Sequence, residues 1–457
     1  MITSIYKVDN LEKYNKLRKK YPTFCYKSFN YSITSDGMVL TFCFSIGDDI
    51  VFTPTISIPQ RKFYRWDNLD KSQLDILVFN IGMIELISYW KCTCSPTIVV
   101  KPYVLSNEQI AFWRKLYYNG LSEFFYINGI DATIDDFVTI SAVSENVLNK
   151  TSFDTDDVFI VPIGGGKDSV VTLELLSQSG KDICPMIINP RGATVECARI
   201  AGYGRDGFIE VKRTIDSCLL ALNSEGYLNG HTPFSAMLAF HSLLVAALTG
   251  RKHIALSNES SANESTIVGT NVNHQYSKSF EFENDFRKYV SDYITNDINY
   301  FSFLRPLSEL QIAMLFARND KYFGVFKSCN VGSKTDIWCG NCPKCLFAYI
   351  ILSPFIKPEI LNRIFGKPML DDPSLQLYFD QLIGIMPTKP FECVGTVDEV
   401  NTALAMTMDR YYSAEGRPYL LRTYVPKSFA VSMNTLSNQH NLSTELLDLF
   451  KVEGIRQ

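Results

Sequence analysis

Six apolar residues, Val158-Phe159-Ile160-Val161-Pro162-Ile163, run directly into three glycines and then Lys167-Asp168-Ser169. A short apolar run bounded by glycines reads as a strand buried on both faces, the kind found in parallel sheets. Consecutive glycines let the chain turn sharply and bring backbone N–H groups against an anion with no Cβ in the way. Helix-like residues 169–177, strand-like 185–188, a helix around 194–201, strand-like 207–211, the apolar helix 234–248 and strand-like 253–256 continue the alternation. The pattern predicts an α/β fold, a doubly wound parallel sheet with the glycine turn at a strand's carboxyl end, where such sheets bind ligands.

In that turn Lys167 adds a point charge, while Asp168 and Ser169 stand where a helix N-cap and an anion-contacting hydroxyl belong. A bare tight turn with capping residues is the plain alternative, and the strand-turn-helix context argues against it. Gly-x4-Gly-Lys-Ser/Thr and Gly-x-Gly-x-x-Gly are both absent here, so neither a Walker loop nor a dinucleotide fingerprint is present. The segment Gly164-Gly165-Gly166-Lys167-Asp168-Ser169 resembles the Ser-Gly-Gly-x-Asp-Ser loop of the ATP pyrophosphatase superfamily. That resemblance implies cleavage of ATP, with Mg²⁺, between its α and β phosphates to activate a carboxylate or carbonyl oxygen. Gly164 stands where that family commonly has serine. By position, Asn189 at the end of the next strand is implied to lie near the adenine.

Cys329-x9-Cys339-x2-Cys342-x2-Cys345 gathers four of the chain's 12 cysteines. Four thiolates suit tetrahedral Zn²⁺, and a complete set of protein ligands leaves no open position for water, so the expected site is structural. Gly340 and Pro343 favour a tight knuckle. An iron-sulfur cluster takes the same ligand count, and buried helical cysteines are the alternative without metal. The other eight cysteines are scattered, unlike a secreted disulfide framework.

Upstream, residues 31–59 are β-rich and broken at Asp36-Gly37 and Gly47-Asp48-Asp49, which predicts antiparallel hairpins. Residues 73–90 carry apolar residues at helical spacing, and 106–121 open on a Ser cap and close at Gly120. The expected domains are an N-terminal α+β domain at 1–153, a nucleotide-binding domain at 154–328, the cysteine segment at 329–354 and a helical C-terminal part at 355–457. No catalytic motif stands out in that last part.

At a formal charge of -4 over 457 residues, the chain has no general attraction for nucleic acid. The first 20 residues lack the basic-then-apolar order of a secretory signal. Residues 234–248, with His241 among them, are too short for a comfortable membrane span and read as a buried helix. A cytoplasmic protein with no membrane partner is expected.

A dense polar run follows strand-like 253–256: Ser257-Asn258-Glu259-Ser260-Ser261-Ala262-Asn263-Glu264, then Gly269-Thr270-Asn271-Val272-Asn273-His274-Gln275-Tyr276-Ser277-Lys278-Ser279. Together with Asn229-Gly230-His231-Thr232-Pro233, Phe303-Leu304-Arg305-Pro306-Leu307, Ser88-Tyr89-Trp90-Lys91-Cys92 and Gly120-Leu121-Ser122-Glu123-Phe124, these segments resemble the UDP-N-acetylmuramoyl-L-alanyl-L-glutamate epimerase family. The likeness covers most of the first 355 residues. It implies ATP-dependent epimerisation of the terminal L-glutamate of a UDP-linked muramoyl dipeptide in peptidoglycan precursor synthesis, with release of AMP and diphosphate. Adenylation of the α-carboxylate would remove the charge that opposes loss of the Cα proton.

Proton transfer needs a base within hydrogen-bond reach of Cα. His274 ranks first because histidine titrates near neutral pH, followed by Lys278, His231, Lys91 and Cys92. Cys92 and Cys94, two residues apart, would share a face of any strand and could not flank a substrate carbon. Lys278 or Arg305 suits the substrate's carboxylates or diphosphate. Asn258, Glu259, Asn263 and Asn273 complete the expected substrate-binding set. Two alternatives remain at this stage. One is another enzyme with this loop, such as a 7-cyano-7-deazaguanine synthase, whose cysteine pattern is similar, or a tRNA-modifying enzyme. The other is a nucleotide-binding module without chemistry.

Overall fold

The computed structural model describes residues 7–267, 269, 270, 272–412, 416–426 and 431–455. Residues 1–6 and Asn271 of the polar run lie outside the described residues. The chain divides into two compact units: Met1–Ile160 with Ile209–Ile254 and Gln275–Tyr300, and Val161–Phe208 with Ala255–His274 and Phe301–Gln457.

In the first unit, β1 (Thr23–Thr34), β2 (Gly37–Ile46), β3 (Ile50–Phe52) and β4 (Thr55–Pro59) form the antiparallel ladder that the hairpin signals predict. Parallel strands β5 (Thr97–Val100) and β6 (Thr139–Ala142) extend it from β1. The helix Lys71–Trp90 packs on β1 and β2 and against the helix Phe234–Thr249. Asp70 caps it in a reciprocal box with Gln73, and residues 74–90 are all buried because both sides of the helix are covered. Gly82 lets it approach: a Cβ there would sit 2.0 Å from the Tyr26 hydroxyl oxygen. His241 lies in the core as expected, 1% exposed, with Nδ1 2.6 Å from the Met237 carbonyl.

β7 (Asp156–Pro162) and β10 (Arg251–Leu256) pair in parallel, with Ile254 opposite Ile160. β8 (Ile183–Ile188) belongs to the second unit, and β11 (Asn299–Ser302) is the last strand among the described residues. β9 (Ile209–Arg213) departs from the expected parallel alternation. It pairs antiparallel to β4, with Ile56 opposite Arg213 and Ser57 opposite Lys212. Its buried Ile209 and Val211 alternate with half-exposed Glu210 and exposed Lys212, the pattern of a strand wet on one face. The fold is therefore mixed α/β, with both parallel and antiparallel pairs.

In the second unit the chain after β7 enters the helix Lys167–Gln178, against which the helix Glu309–Ala317 packs. The helix Pro343–Leu352 packs on Glu309–Ala317 and on the later helices Pro358–Phe365, Gln376–Leu382 and Val397–Tyr411. The C-terminal part is helical, as expected. Among the described residues no helix is long and apolar enough to cross a membrane.

Candidate active site

The glycines lie just past β7 in the second unit, where Ile163 N–H donates to the Met186 carbonyl of β8 at 2.8 Å. Gly166 is the helix N-cap and has no side-chain cap, so first-turn N–H groups are open to an anion. Asp168 and Ser169 therefore sit inside the first turn and not at the cap; three glycines leave no residue earlier that could cap. The Ser169 hydroxyl, nearly buried, donates to the Gly166 carbonyl at 3.1 Å. Gly165 has φ +81°, and a Cβ on it would meet the Thr194 N–H nitrogen at 3.0 Å, so only glycine fits between the loop and the helix Gly192–Ile200. Gly164 is exposed, and a Cβ there would meet nothing within 4 Å. Nothing in the structure requires glycine at that position. Exposed Asn189 follows β8 with φ 49°, a left-handed conformation that asparagine tolerates.

The Lys167 ammonium is buried between two carboxylates, Asp168 beside it and Glu309 on the neighbouring helix. Burial alone would depress its pKa; Asp168 and then Glu309 outweigh burial and keep it charged. Burial pushes the Glu309 carboxyl above the usual carboxylate range even with Lys167 opposing. Beside it, the fully buried Glu399 accepts from Glu309 N–H at 2.8 Å and from Thr396 N–H at 2.7 Å.

The four thiols of Cys329, Cys339, Cys342 and Cys345 all lie within 4.8 Å of one another. Sγ–Sγ distances of 3.8 Å (Cys329 to Cys342), 3.7 Å (Cys339 to Cys345) and 3.4 Å (Cys342 to Cys345) compare with about 3.8 Å for a sulfur tetrahedron built on Zn–S bonds of about 2.3 Å. Backbone N–H groups of Gly332 and Cys345 point at Cys329 Sγ and Cys342 Sγ, at 3.1 and 3.4 Å. The sulfur–sulfur hydrogen bond with Cys345 pulls the Cys342 thiol down to about 5. Cys342 is also the N-cap of the helix Pro343–Leu352, where the helix dipole favours a thiolate. The donor set could hold one zinc ion.

In the polar run, Arg305 is fully buried and donates to the Glu259 carbonyl at 2.6 Å and to Ser302 Oγ at 3.2 Å; Asn258 Nδ2 donates to the same Ser302 at 3.0 Å. These groups brace the turn after β10. Asn273 Nδ2 holds the Ala262 carbonyl at 2.9 Å, and His274, half-buried, donates its backbone N–H to Thr266 Oγ1 at 3.0 Å. Asn263 Nδ2 reaches Gln439 Oε1 at 3.4 Å.

Lys91, Cys92, His231 and Lys278 belong to the first unit, unlike His274 and the loop. Lys278 ends a single 3-10 turn, Tyr276–Lys278. His231 Nδ1 lies 3.3 Å from Glu123 Oε2. Cys92 and Cys94 occupy a turn after the helix Lys71–Trp90 and are fully buried; burial pushes the Cys92 thiol up to about 12, which makes it a poor proton carrier. The Lys91 ammonium donates to the Gly230 carbonyl and to Thr232 Oγ1, at 2.6 Å for the latter. Burial, then Arg213, lower its pKa from 10.5 to about 8. Between those values the unfolded chain holds a proton the folded chain has released, so folding stability should rise with pH across that window. Relative to a Lys91→Met protein the gain should reach about 3 kcal/mol. Urea midpoints of the two proteins near neutral pH and near pH 10 measure it; a pH-independent difference would contradict it.

The MurL N-terminal domain family matches residues 15–303 and the MurL C-terminal domain family matches residues 325–428. The chain belongs to the MurL family. It is 34% identical over 379 residues to the UDP-N-acetyl-alpha-D-muramoyl-L-alanyl-L-glutamate epimerase of Xanthomonas oryzae pv. oryzae, covering 81% of this chain and 82% of that protein. Proteins of the same name from Salinispora tropica and a Micromonospora species are 32% and 34% identical over 400 and 411 residues. They cover 86% and 87% of this chain and 86% and 89% of their own lengths.

The family likeness thus reaches well past residue 355, and the structure supplies reasons for that. Thr388 bridges Ile267 in antiparallel fashion, Lys389 N–H donates to the Thr266 carbonyl at 3.0 Å, and the Lys389 ammonium pairs with Glu264. Gln311 Nε2 ties Met433 and Thr435 carbonyls at 3.2 and 2.9 Å. Residues 388–389, and Gln439 through Asn263, therefore border the polar run. Glu309 and Glu399 each lie in a helix start that the sequence signals, Ser308-Glu309-Leu310-Gln311 and Thr396-Val397-Asp398-Glu399.

Proposed function

We propose that this protein epimerises the terminal L-glutamate of UDP-N-acetylmuramoyl-L-alanyl-L-glutamate to D-glutamate, activating the α-carboxylate with ATP and releasing AMP and diphosphate. The observation that carries the ATP step is the uncapped helix N-terminus behind Gly164-Gly165-Gly166, in a turn where Gly165 admits no side chain. The substrate follows from the relatives' names, and the fold proposed is the ATP pyrophosphatase type.

In this mechanism the backbone N–H groups of the loop take the phosphates, with Mg²⁺ accompanying them. Lys167, anchored by Glu309, holds Asp168 in the first turn after the loop. The acyl adenylate acidifies the Cα–H by removing the carboxylate charge, one group takes that proton, a second group delivers a solvent-derived proton from the opposite face, and water releases the D-product and AMP. His274 is the first candidate carrier, with Lys278, His231 and Lys91 next. The four cysteines hold a structural zinc ion that takes no part in proton transfer. The enzyme is cytoplasmic in this scheme, where its nucleotide-linked substrate is made.

Incubation with the muramoyl dipeptide, ATP and Mg²⁺ in D₂O should give AMP, deuterium at Cα and D-glutamate together. AMP formation with neither deuteration nor D-glutamate would overturn the epimerase assignment. Epimerisation in the absence of ATP would overturn the adenylation step.

A further inference from the structure

The segment that leads into the cysteine knuckle lies directly against the phosphate loop, all within the second unit. Lys327 N–H donates to the Gly165 carbonyl at 2.8 Å, and a Cβ on Gly166 would meet Ser328 Cβ at 3.3 Å. The same Gly165 carbonyl lies 3.8 Å from Cys197 Sγ, and the Lys327 charge is felt at Cys197 and at Asp336. Asp336 in turn accepts the Ala193 N–H at 2.9 Å, at the start of the helix Gly192–Ile200.

Two lysines therefore stand at this loop in different conditions. Lys167 is buried with its ammonium shared between Asp168 and Glu309, so its charge is already matched. Lys327 is half-buried, and its ammonium has long bonds to two neutral carbonyls, Gly324 at 3.2 Å and Val325 at 3.4 Å. Exchanging those for phosphate oxygens would set the ammonium against an opposite charge in place of long bonds to neutral carbonyls.

The placement of Lys327 is fixed from both sides. Phe326 before it packs at a tilt against Phe316 and edge-on against Trp338, with ring centroids 4.6 and 5.4 Å apart, and its carbonyl accepts from Trp338 Nε1 at 3.1 Å. Cys329 and Cys339, two of the four knuckle thiols, follow Ser328 and Trp338 directly.

We propose that Lys327 is the lysine that binds the ATP phosphates at this loop, and that the metal-closed cysteine knuckle is what positions it there. The proposal rests on the assignment of the loop to ATP. Lys167, by contrast, is an internal brace.

The test uses the full-length, metal-replete protein. In Lys327→Met the KM for ATP should rise about tenfold or more, the loss of one charge-assisted contact of about 1.5–3 kcal/mol. The KM for the muramoyl dipeptide, the zinc content and the melting temperature should stay at wild-type values. Lys327→Arg, which keeps the charge, should stay within about threefold of wild type for ATP. Calorimetric titration with α,β-methylene-ATP reads the same loss without turnover. An unchanged ATP KM in Lys327→Met overturns the proposal while leaving the ATP assignment standing, as does a Lys327→Arg protein that loses ATP affinity as fully as Lys327→Met. A wild-type protein that neither binds the analogue nor forms AMP overturns both.

Discussion

A Cys345→Ser protein is expected to lose its stoichiometric zinc and to unfold at markedly lower temperature or denaturant concentration than wild type. Cys345 is fully buried, its thiol stands 3.4 Å from Cys342 Sγ and 3.7 Å from Cys339 Sγ, and it lies in the first turn of the helix Pro343–Leu352. That helix is the hub against which Glu309–Ala317, Pro358–Phe365, Gln376–Leu382 and Val397–Tyr411 pack. Structural zinc sites bind with apparent free energies of about 10–16 kcal/mol at neutral pH, so losing even a third of that removes about 4 kcal/mol. Such a loss is a large share of the margin of many domains, about 5–15 kcal/mol. Metal analysis of the purified proteins and urea unfolding measure the two effects. Wild-type protein without stoichiometric metal, or a Cys345→Ser form of unchanged stability, would remove zinc from the structure.

The features legible in the sequence were those whose chemistry is local. Three glycines after a buried strand mark a strand-turn-helix junction, and four cysteines within seventeen positions mark a cluster of thiols; the structure has both. The β1–β4 hairpins and the cap at Ser106 of the helix Asn107–Gly120 are equally local, and both appear as expected. What was not legible depends on pairing across sequence. β9 is short, and its alternation of Ile209 and Val211 with Glu210 and Lys212 does not name its neighbour; only its pairing with β4 makes it antiparallel. Lys167 looks like a phosphate ligand until Glu309, 142 residues later, is seen to occupy it. Lys327 looks like an ordinary lysine until its N–H is found on Gly165. The contacts of the C-terminal part with the polar run were not legible either, because backbone bridges such as Thr388 to Ile267 can be made by any residue.

Glu309→Ala should destabilise the protein by about 3–5 kcal/mol, because it leaves the Lys167 ammonium buried with only Asp168 to match it. Glu309→Gln should cost less, since the amide oxygen still accepts from Lys167 and only the charge is lost. The informative comparison is the double variant Glu309→Ala with Lys167→Met. If the pair is a brace, removing both charges should recover most of the loss, because an uncompensated buried charge is more costly than an apolar side chain of similar volume. Urea unfolding of the wild type, both single variants and the double variant yields the coupling energy, and additive losses would show that Lys167 and Glu309 do not act as a pair. On the proposed ATP reaction, Asp168 matters as well: it would keep its first-turn position without the ammonium that orients it. AMP formation should therefore fall in the double variant even where the fold is regained, separating the stabilising part of this triad from the part that serves the phosphate loop.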